Sequence, residues 1–278
     1  MLKQRVITAL VLLAFLLPAL FYPAVAPFAA LTLLLIAASG WEWARLNGVG
    51  GGAAVVAGIA LGVVMALLWW GTPVHRWLPV VWMAASLVWF ILATVMLRRG
   101  VSCWGEWPRA MRLIGGVVLL ASAWLALVEA RRIGLVYLLS ILTLVWMADI
   151  AAYFGGKTFG RRKLAPSISP GKSWEGAISG FLGVCVLAAF WLWFDGLWLD
   201  DSMSVFGALQ ARGWHWLAVG VVLLTTMSVT GDLVESLVKR SAGVKDSSGL
   251  LPGHGGVLDR VDALLPVLPV ALMLTELP

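Results

Sequence analysis

Ionisable side chains are densest in two stretches of this chain, residues 146–176 and residues 231–262. At the start of the second stretch, helical spacing places five polar side chains on one face: Asp232, Glu235, Ser236, Lys239 and Arg240. The acids lie at one end of this face and the bases at the other. A merely solvated helix usually intersperses its charges. The pattern therefore indicates a site that holds a metal ion and phosphate groups.

More candidate residues follow in the same stretch. Lys245 and Asp246 precede a turn rich in Ser, Gly and Pro, and Asp259 and Asp262 stand at the start of the next apolar run. Carboxylates three residues apart share a helix face, so these two can address one cation together. Hard oxygen ligands without cysteine favour Mg²⁺, or Mn²⁺, over zinc. His254, between glycines, is equally typical of a turn residue.

The first stretch places an acid inside an apolar segment. Asp149 and Tyr153 are four residues apart, on one face of a helix end. A charge at membrane depth costs about 3 kcal/mol or more, so it usually faces a cavity or pairs with a cation. A purely structural pair with a Lys or Arg of a neighbouring helix remains the alternative.

Two Gly-Lys-Thr/Ser triplets, at residues 156–158 and 171–173, resemble the end of a Walker A motif. That motif needs a glycine five residues before its last one, and Ala151 and Pro166 occupy those positions. Walker A is therefore excluded. Lys172 and Ser173, between small residues beside a span entrance, are still well placed to bind an anion, whereas the basic residues 161–163 are typical of a solvated loop.

Composition indicates the elements that must position these residues. The 278 residues are 61% hydrophobic and 12% charged, against about 45–50% and about 25% in soluble domains. Apolar runs of about 20 residues, enough to cross a bilayer, recur along the chain. We predict an all-α, polytopic transmembrane protein with about nine spans, at residues 6–22, 24–40, 53–70, 79–97, 113–130, 134–154, 176–194, 215–231 and 263–277.

Charge distribution predicts the orientation. With the N-terminus in the cytoplasm, four of the 20 Lys and Arg residues lie outside (Arg76, Arg131, Arg132 and Arg212) and the other 16 lie inside. The net charge of +6 then reflects cytoplasmic loops rather than nucleic-acid binding. Both polar stretches face the cytoplasm. Arg131 and Arg132 contradict the rule locally, which a re-entrant earlier span would explain.

Other features are read as structural. Cys103 and Cys185 have no metal-ligand spacing. The basic, apolar N-terminus could be a cleavable signal but is predicted to be an uncleaved first span. Tryptophans near the predicted span ends indicate interfacial belts: Trp41, Trp43, Trp69, Trp70, Trp104 and Trp107.

The polar residues of the second stretch also form a recognisable pattern. It reads Ser236-x-Val238-Lys239-Arg240-x4-Lys245-Asp246-x-Ser248-x2-Leu251-Pro252-x-His254-Gly255-Gly256-Val257-x-Asp259-Arg260-Val261-Asp262. This run resembles the signature of the phosphatidate cytidylyltransferase family. The upstream residues Asp149, Tyr153, Gly156 and 169–176 also match, so the resemblance covers roughly the C-terminal half.

The resemblance implies an integral inner (plasma) membrane enzyme, usually a homodimer, that uses Mg²⁺ to make CDP-diacylglycerol and pyrophosphate from CTP and phosphatidic acid. We predict one membrane domain overall. Its N-terminal helices lie in residues 1–130, and its C-terminal helices, with the catalytic cytoplasmic loops, lie in residues 131–278.

The resemblance also leads to residue roles, written here as hypotheses. The catalytic residues would be Asp232, Asp259, Lys239 and Arg260. Metal ligands would be Asp232 and Asp259 first, then Asp262, Asp246 and Asp149. Substrates would be held by Lys172, Ser173, Ser236, Arg240, Lys245 and His254. The alternatives are a CTP-dependent transferase for another lipid phosphate and a transporter, although the clustering of charges in two loops on one side disfavours transport.

Overall fold

The computed structural model describes residues 2–71, 77–197 and 203–276, and these are predominantly helical. The helices are α1 (Leu2–Phe21), α2 (Val25–Leu46), α3 (Gly51–Gly71), α4 (Leu78–Arg99), α5 (Ser102–Glu106), α6 (Arg109–Ile133), α7 (Leu135–Phe159), α8 (Trp174–Leu197), α9 (Val205–Ala211), α10 (Trp214–Ser241), α11 (Leu258–Val261) and α12 (Leu264–Glu276). Two short antiparallel strands, β1 (Lys163–Ala165) and β2 (Ser169–Ser173), form a hairpin between α7 and α8.

The long helices confirm an all-α, polytopic membrane protein. Eight of the described helices are long and apolar enough to cross a bilayer: α1, α2, α3, α4, α6, α7, α8 and α10. The ninth predicted span coincides with α12, which has 13 residues and is therefore about 20 Å long at 1.5 Å per residue. A hydrocarbon core is about 30 Å thick. The count of nine thus stays a prediction, and residue 277 of that span lies outside the described residues.

Helix α12 joins the two halves of the chain. It packs against α4 and α6 from the N-terminal part and against α10 from the C-terminal part, and residues 265–272 are all buried. The predicted division at residue 130 falls inside α6. It stays a prediction, but contacts across it are extensive.

Small residues hold α7 and α8 closely together. A Cβ added to Gly176 would lie 2.8 Å from the Ala152 carbonyl oxygen, and one added to Gly180 would lie 2.8 Å from that of Ala148. Glycines at such positions let helix backbones approach within a membrane. This close pair fixes the base of the β1–β2 hairpin, which sequence patterning did not predict.

Arg131 and Arg132, which depart from the predicted charge distribution, both make local contacts. Arg131 donates hydrogen bonds to the carbonyl oxygens of Leu20, at 2.9 Å, and Tyr22, at 2.7 Å, where α1 leaves its last carbonyls without partners. Arg132 forms an ion pair with Glu129 at 2.9 Å. Arg131 therefore links α6 to the end of α1, whereas the Arg132 pair lies within α6. Arg76 lies outside the described residues.

The predicted tryptophan belts are wrong for two residues. Trp43 and Trp104 are buried inside the bundle, and their rings meet edge to face with centroids 5.6 Å apart. The Trp43 indole N–H donates to the Arg112 carbonyl at 3.0 Å, and that of Trp104 donates to Asn47 Oδ1 at 3.0 Å. Protein groups thus replace the headgroup water that a belt residue would use.

Candidate functional site

A cavity of about 460 Å³ with charged side chains in its wall opens between α7, the β1–β2 hairpin, α8 and α10. We call it the hairpin cavity. Its wall includes five residues singled out from the sequence: Asp149, Tyr153, Lys172, Ser173 and Asp232. The structure therefore brings the first polar stretch against the beginning of the second.

An ion pair crosses the hairpin cavity. Lys172 Nζ lies 2.7 Å from Asp232 Oδ2, and both side chains keep part of their surface exposed. Asp232 Oδ1 accepts a hydrogen bond from the Ser236 hydroxyl at 3.1 Å. Because these groups line open space, an incoming anion or cation can reach them directly.

Local hydrogen bonds place Lys172 at the cavity. The buried Ser173 hydroxyl oxygen accepts from the Gly176 N–H at 3.1 Å and caps α8. The Glu175 carboxylate accepts from the N–H groups of Arg161, at 3.0 Å, and Arg162, at 3.2 Å. These contacts tie both ends of the hairpin to the first turn of α8. Ser173 therefore has a structural role, and its substrate-binding role stays a prediction.

A second cluster, which we call the Asp259 network, is closed by protein contacts. Lys239 Nζ lies 2.6 Å from Asp259 Oδ1 and also pairs with Glu235. Asp259 Oδ2 accepts from the Ser247 N–H at 2.9 Å, the Ser247 hydroxyl at 2.9 Å and the Gly256 N–H at 2.7 Å. Both carboxylate oxygens of Asp259 therefore already have protein donors.

These donors determine the acidity of Asp259. Burial acts to raise its pKa, but the hydrogen bonds from Lys239, Gly256 and Ser247 together outweigh burial and hold the pKa below its usual range. The side chain is thus a carboxylate at neutral pH. Through these hydrogen bonds the carboxylate holds the loop between α10 and α11 in place.

Glu42 of α2 is a functional candidate that the sequence interpretation missed. Its side chain is fully buried, with 0% exposure. Its oxygens accept from the N–H groups of Val257, at 2.9 Å, and Leu258, at 2.7 Å, and from the hydroxyls of Ser247, at 3.2 Å, and Ser248, at 2.5 Å. An acid inside an apolar span is a recognised signal. The predicted span ended at residue 40, so Glu42 fell outside it, whereas α2 extends to Leu46 and includes the acid.

Glycine is required where Glu42 meets the loop. A Cβ on Gly256 would lie 2.3 Å from Glu42 Oε1 and 2.1 Å from the Ser247 hydroxyl oxygen. Both distances are far inside van der Waals contact. The glycines of the C-terminal pattern thus include one that makes room for a carboxylate from the other half of the chain.

Asp262 lies between the two clusters. Burial, and then the charge of Asp232, raise its pKa to about 7, with a smaller contribution from Asp149. Its Oδ1 accepts from the Ala263 N–H at 2.8 Å. The carboxylates of Asp149, Asp232 and Asp262 therefore share one electrostatic environment.

The remaining predicted residues lie around the loop. The Arg260 guanidinium donates to the His254 carbonyl oxygen at 3.0 and 2.7 Å, while Arg240 makes only a 3.4 Å contact with the Val244 carbonyl oxygen. Lys245 and Asp246 are exposed. The Nδ1 atom of His254 is buried and has no hydrogen-bond partner among the residues that the structure describes. The structure does not bring Arg240, Lys245 or Asp246 into the wall of the hairpin cavity.

The described residues contain no group of three His, Cys, Asp or Glu side chains arranged as a ready-made metal site. Asp149 and Asp232 nevertheless line the same cavity, and Asp262 is close enough to feel both charges. Mg²⁺ typically uses one or two carboxylates and completes its shell with water and substrate phosphates. These hard oxygen donors fit such an ion.

Comparisons with known proteins agree on one family. Residues 3–277 match the cytidylyltransferase family. The chain is 40% identical to a phosphatidate cytidylyltransferase of Pseudomonas aeruginosa over 97% of its length and 95% of the relative's. It is 35% identical to the phosphatidate cytidylyltransferase of Haemophilus influenzae over 97% and 96%, respectively. A third, from Thermotoga maritima, is 42% identical over 53% of this chain and 52% of the relative.

Proposed function

We propose that this chain, which belongs to the cytidylyltransferase family, is a phosphatidate cytidylyltransferase that joins CTP to phosphatidic acid. The observation that carries the substrate assignment is its similarity, over nearly the whole length, to two relatives with that activity in their names. The products are CDP-diacylglycerol and pyrophosphate. The proposal covers an enzyme of phospholipid synthesis within the membrane.

The chemistry is nucleotidyl transfer between two anions. A phosphate oxygen of phosphatidic acid forms a bond to the α-phosphorus of CTP, and the bond from that phosphorus to the bridging oxygen breaks to release pyrophosphate. The attacking oxygen is anionic at neutral pH, so a strong general base is unnecessary. Charge neutralisation and alignment are then the main contributions of the protein.

The hairpin cavity supports this chemistry. It offers Lys172 to a phosphate group and presents the carboxylates Asp149 and Asp232 beside it. When a phosphate enters, Lys172 can exchange its partner from Asp232 to the phosphate, which frees Asp232. Asp232, Asp149 and Asp262 would then hold Mg²⁺. A bound Mg²⁺ supplies positive charge for the phosphate oxygens on which negative charge develops.

The Asp259 network has a different proposed task. Asp259 is paired with Lys239, and it also accepts hydrogen bonds from the N–H groups of Ser247 and Gly256. We assign these residues to positioning the loop, with Arg260 fixing its tip at the His254 carbonyl. Lys245, Arg240 and the free Nδ1 of His254 at the loop edge are assigned to the CTP phosphates or nucleobase.

Location and assembly complete the proposal. The chain is a multi-pass protein, proposed for the plasma membrane, with both charged clusters at the helix ends that face the cytoplasm. The excess of Lys and Arg on that side supports this orientation. A homodimer is part of the proposal through the family resemblance, and cross-linking in native membranes tests it.

One assay tests the proposed function. Purified protein in detergent receives labelled CTP, Mg²⁺ and phosphatidic acid, and the lipid extract is examined for a CDP-linked product. Product from the wild type, little from Lys172→Met and normal amounts from the exposed control Lys3→Met are expected. Product formed from another lipid phosphate but not from phosphatidic acid would overturn the substrate assignment.

A further inference from the structure

A second cavity, of about 220 Å³, lies on the opposite side of α10 from the hairpin cavity. We call it the apolar cavity. Its wall comes mainly from α4, α6 and α10 and includes Trp43 and Trp104. The indole N–H groups of both tryptophans are bonded to other protein groups. The rings therefore present carbon surface to the cavity.

The two cavities use two faces of one helix. Val229 and Asp232, three residues apart, border the hairpin cavity, whereas Gly231, Val234 and Glu235 border the apolar cavity. Rotation of about 100° per residue separates these sets around the helix. Helix α10 is therefore the wall between the hairpin cavity and the apolar cavity.

The apolar cavity lies at the depth of one membrane leaflet. Its lining from α4 comes from the last turns of that helix, including Leu92 and Met96, and its lining from α6 begins at Met111, close to the start of that helix. The same cavity is also lined by Glu235 of α10 and Leu258 of α11, so these ends of α4 and α6 lie beside the charged clusters. A lipid of that leaflet would have its headgroup at the clusters and its chains at the level of the apolar cavity.

The apolar cavity also touches the charged clusters directly. Gly231 precedes Asp232, Leu258 precedes Asp259, and Glu235 is paired with Lys239. Lys239 faces both Glu235 and Asp259, so this end of the cavity wall is the one that adjoins the charged groups. Its volume equals that of about seven water molecules at about 30 Å³ each, which suits a hydrocarbon segment rather than a whole lipid.

We propose that the apolar cavity receives part of one acyl chain of phosphatidic acid, with the lipid phosphate directed past α10 toward Lys172. This inference rests on the proposed function and adds the site that holds the lipid tail. Burial of each methylene favours binding roughly fourfold. The cavity then selects substrates by the length of the acyl chain, with which the phosphate-binding residues make no contact.

A larger side chain at position 115, in place of Gly115, should fill the apolar cavity. It lines the cavity, and a Cβ built there meets nothing within 4 Å, so Gly115→Leu projects into open space. Gly196, near the end of α8, also has open space and does not line either cavity. Gly196→Leu is therefore the matched control.

The test uses phosphatidic acid that carries a photoreactive diazirine in one acyl chain, added to detergent-purified full-length protein. Peptide mass spectrometry maps the label. We expect label at Leu92, Met96 and Met111 in the wild type and in Gly196→Leu, and roughly tenfold less in Gly115→Leu, because its side chain displaces at least about two methylenes. Wild-type label confined to the outward faces of the bundle would overturn the inference, even if Gly115→Leu failed to fold.

Turnover separates this inference from the proposed function. With CTP and Mg²⁺, Gly115→Leu should lower kcat/KM roughly tenfold for dipalmitoyl phosphatidic acid and only slightly for the dioctanoyl lipid. Equal loss for both lipids would contradict an acyl site. Absence of any CDP-lipid product from the wild type would instead overturn the proposed function, while the labelling pattern still decides the location of the acyl chain.

Discussion

The two charged clusters differ in how far protein groups already satisfy them. In the hairpin cavity, Lys172 and Asp232 form a partly exposed pair beside open space. In the Asp259 network, Lys239 and three other donors from the chain use both oxygens of Asp259. An open pair can exchange partners with substrate, whereas a closed one can do so only by dismantling the loop it holds. On this difference we base the proposal that the first cluster serves binding and chemistry and the second serves positioning.

The largest expected effect comes from the open cluster. Asp232→Asn removes the negative charge beside Lys172 and should lower turnover by about three orders of magnitude, a loss typical of a key electrostatic group. The helices should stay folded, because Asp232 lines a cavity rather than the core. Turnover assays with thermal unfolding in detergent check both points. A variant with near-normal turnover would remove Asp232 from the site.

A smaller effect on activity but a clear effect on stability is expected at the closed cluster. Glu42→Gln replaces a buried carboxylate that accepts four hydrogen bonds, and it should lower the free energy of unfolding by about 3 kcal/mol. Proteolysis at residues 245–257 should become faster, since Glu42 fixes that loop. The exposed Glu106→Gln is the control. Unchanged protection of the loop in Glu42→Gln would contradict the positioning role.

The pH dependence of Mg²⁺ affinity should also distinguish the two clusters. Because the pKa of Asp262 is raised to about 7, Mg²⁺ must displace its proton at lower pH. The apparent Mg²⁺ affinity should therefore fall up to about tenfold between pH 7 and pH 6 and level off above pH 8. Asp262→Asn should remove most of this dependence. Titrations of CTP turnover with Mg²⁺ at several pH values measure it, and a flat wild-type profile would exclude Asp262 as a ligand.

The smallest effect concerns orientation of Asp232. Ser236→Ala removes one hydrogen bond, at 3.1 Å, and should lower kcat/KM by roughly fivefold to tenfold, equivalent to about 1 kcal/mol. Ser241→Ala, at the end of the same helix, serves as the control. A loss as large as that of Asp232→Asn would mean that Ser236 contacts the substrate itself.

Sequence reasoning identified the membrane class and both charged clusters because ionisable residues stand out in an apolar chain. It could not predict which of Asp232 and Asp259 stays open to substrate, because that difference depends on hydrogen-bond partners that folding brings to each carboxylate. Asp259 meets Ser247 and Lys239 across a loop, and the same loop is held by Glu42, more than 200 residues away in sequence. Local spacing contains no information on such contacts.

Two further features depended on tertiary structure. The strand β2 contains Pro170 and Gly171, which oppose strand formation by local preference, and it forms because the close α7–α8 pair brings β1 beside it. Trp43 and Trp104 match the pattern of interfacial residues but are buried, and their rings pack against each other. The apolar cavity they border was therefore not predictable from the chain alone.

Direct metal binding tests the central distinction between the clusters. Mn²⁺ bound in the presence of CTP is measured by electron paramagnetic resonance of the free ion for the wild type, Asp232→Asn and Asp259→Asn. Our account predicts that Asp232→Asn weakens Mn²⁺ binding about tenfold or more, while Asp259→Asn keeps it within about twofold and loses loop stability instead. Equal weakening by Asp259→Asn, without a change in stability, would place Asp259 in the metal site and contradict the account.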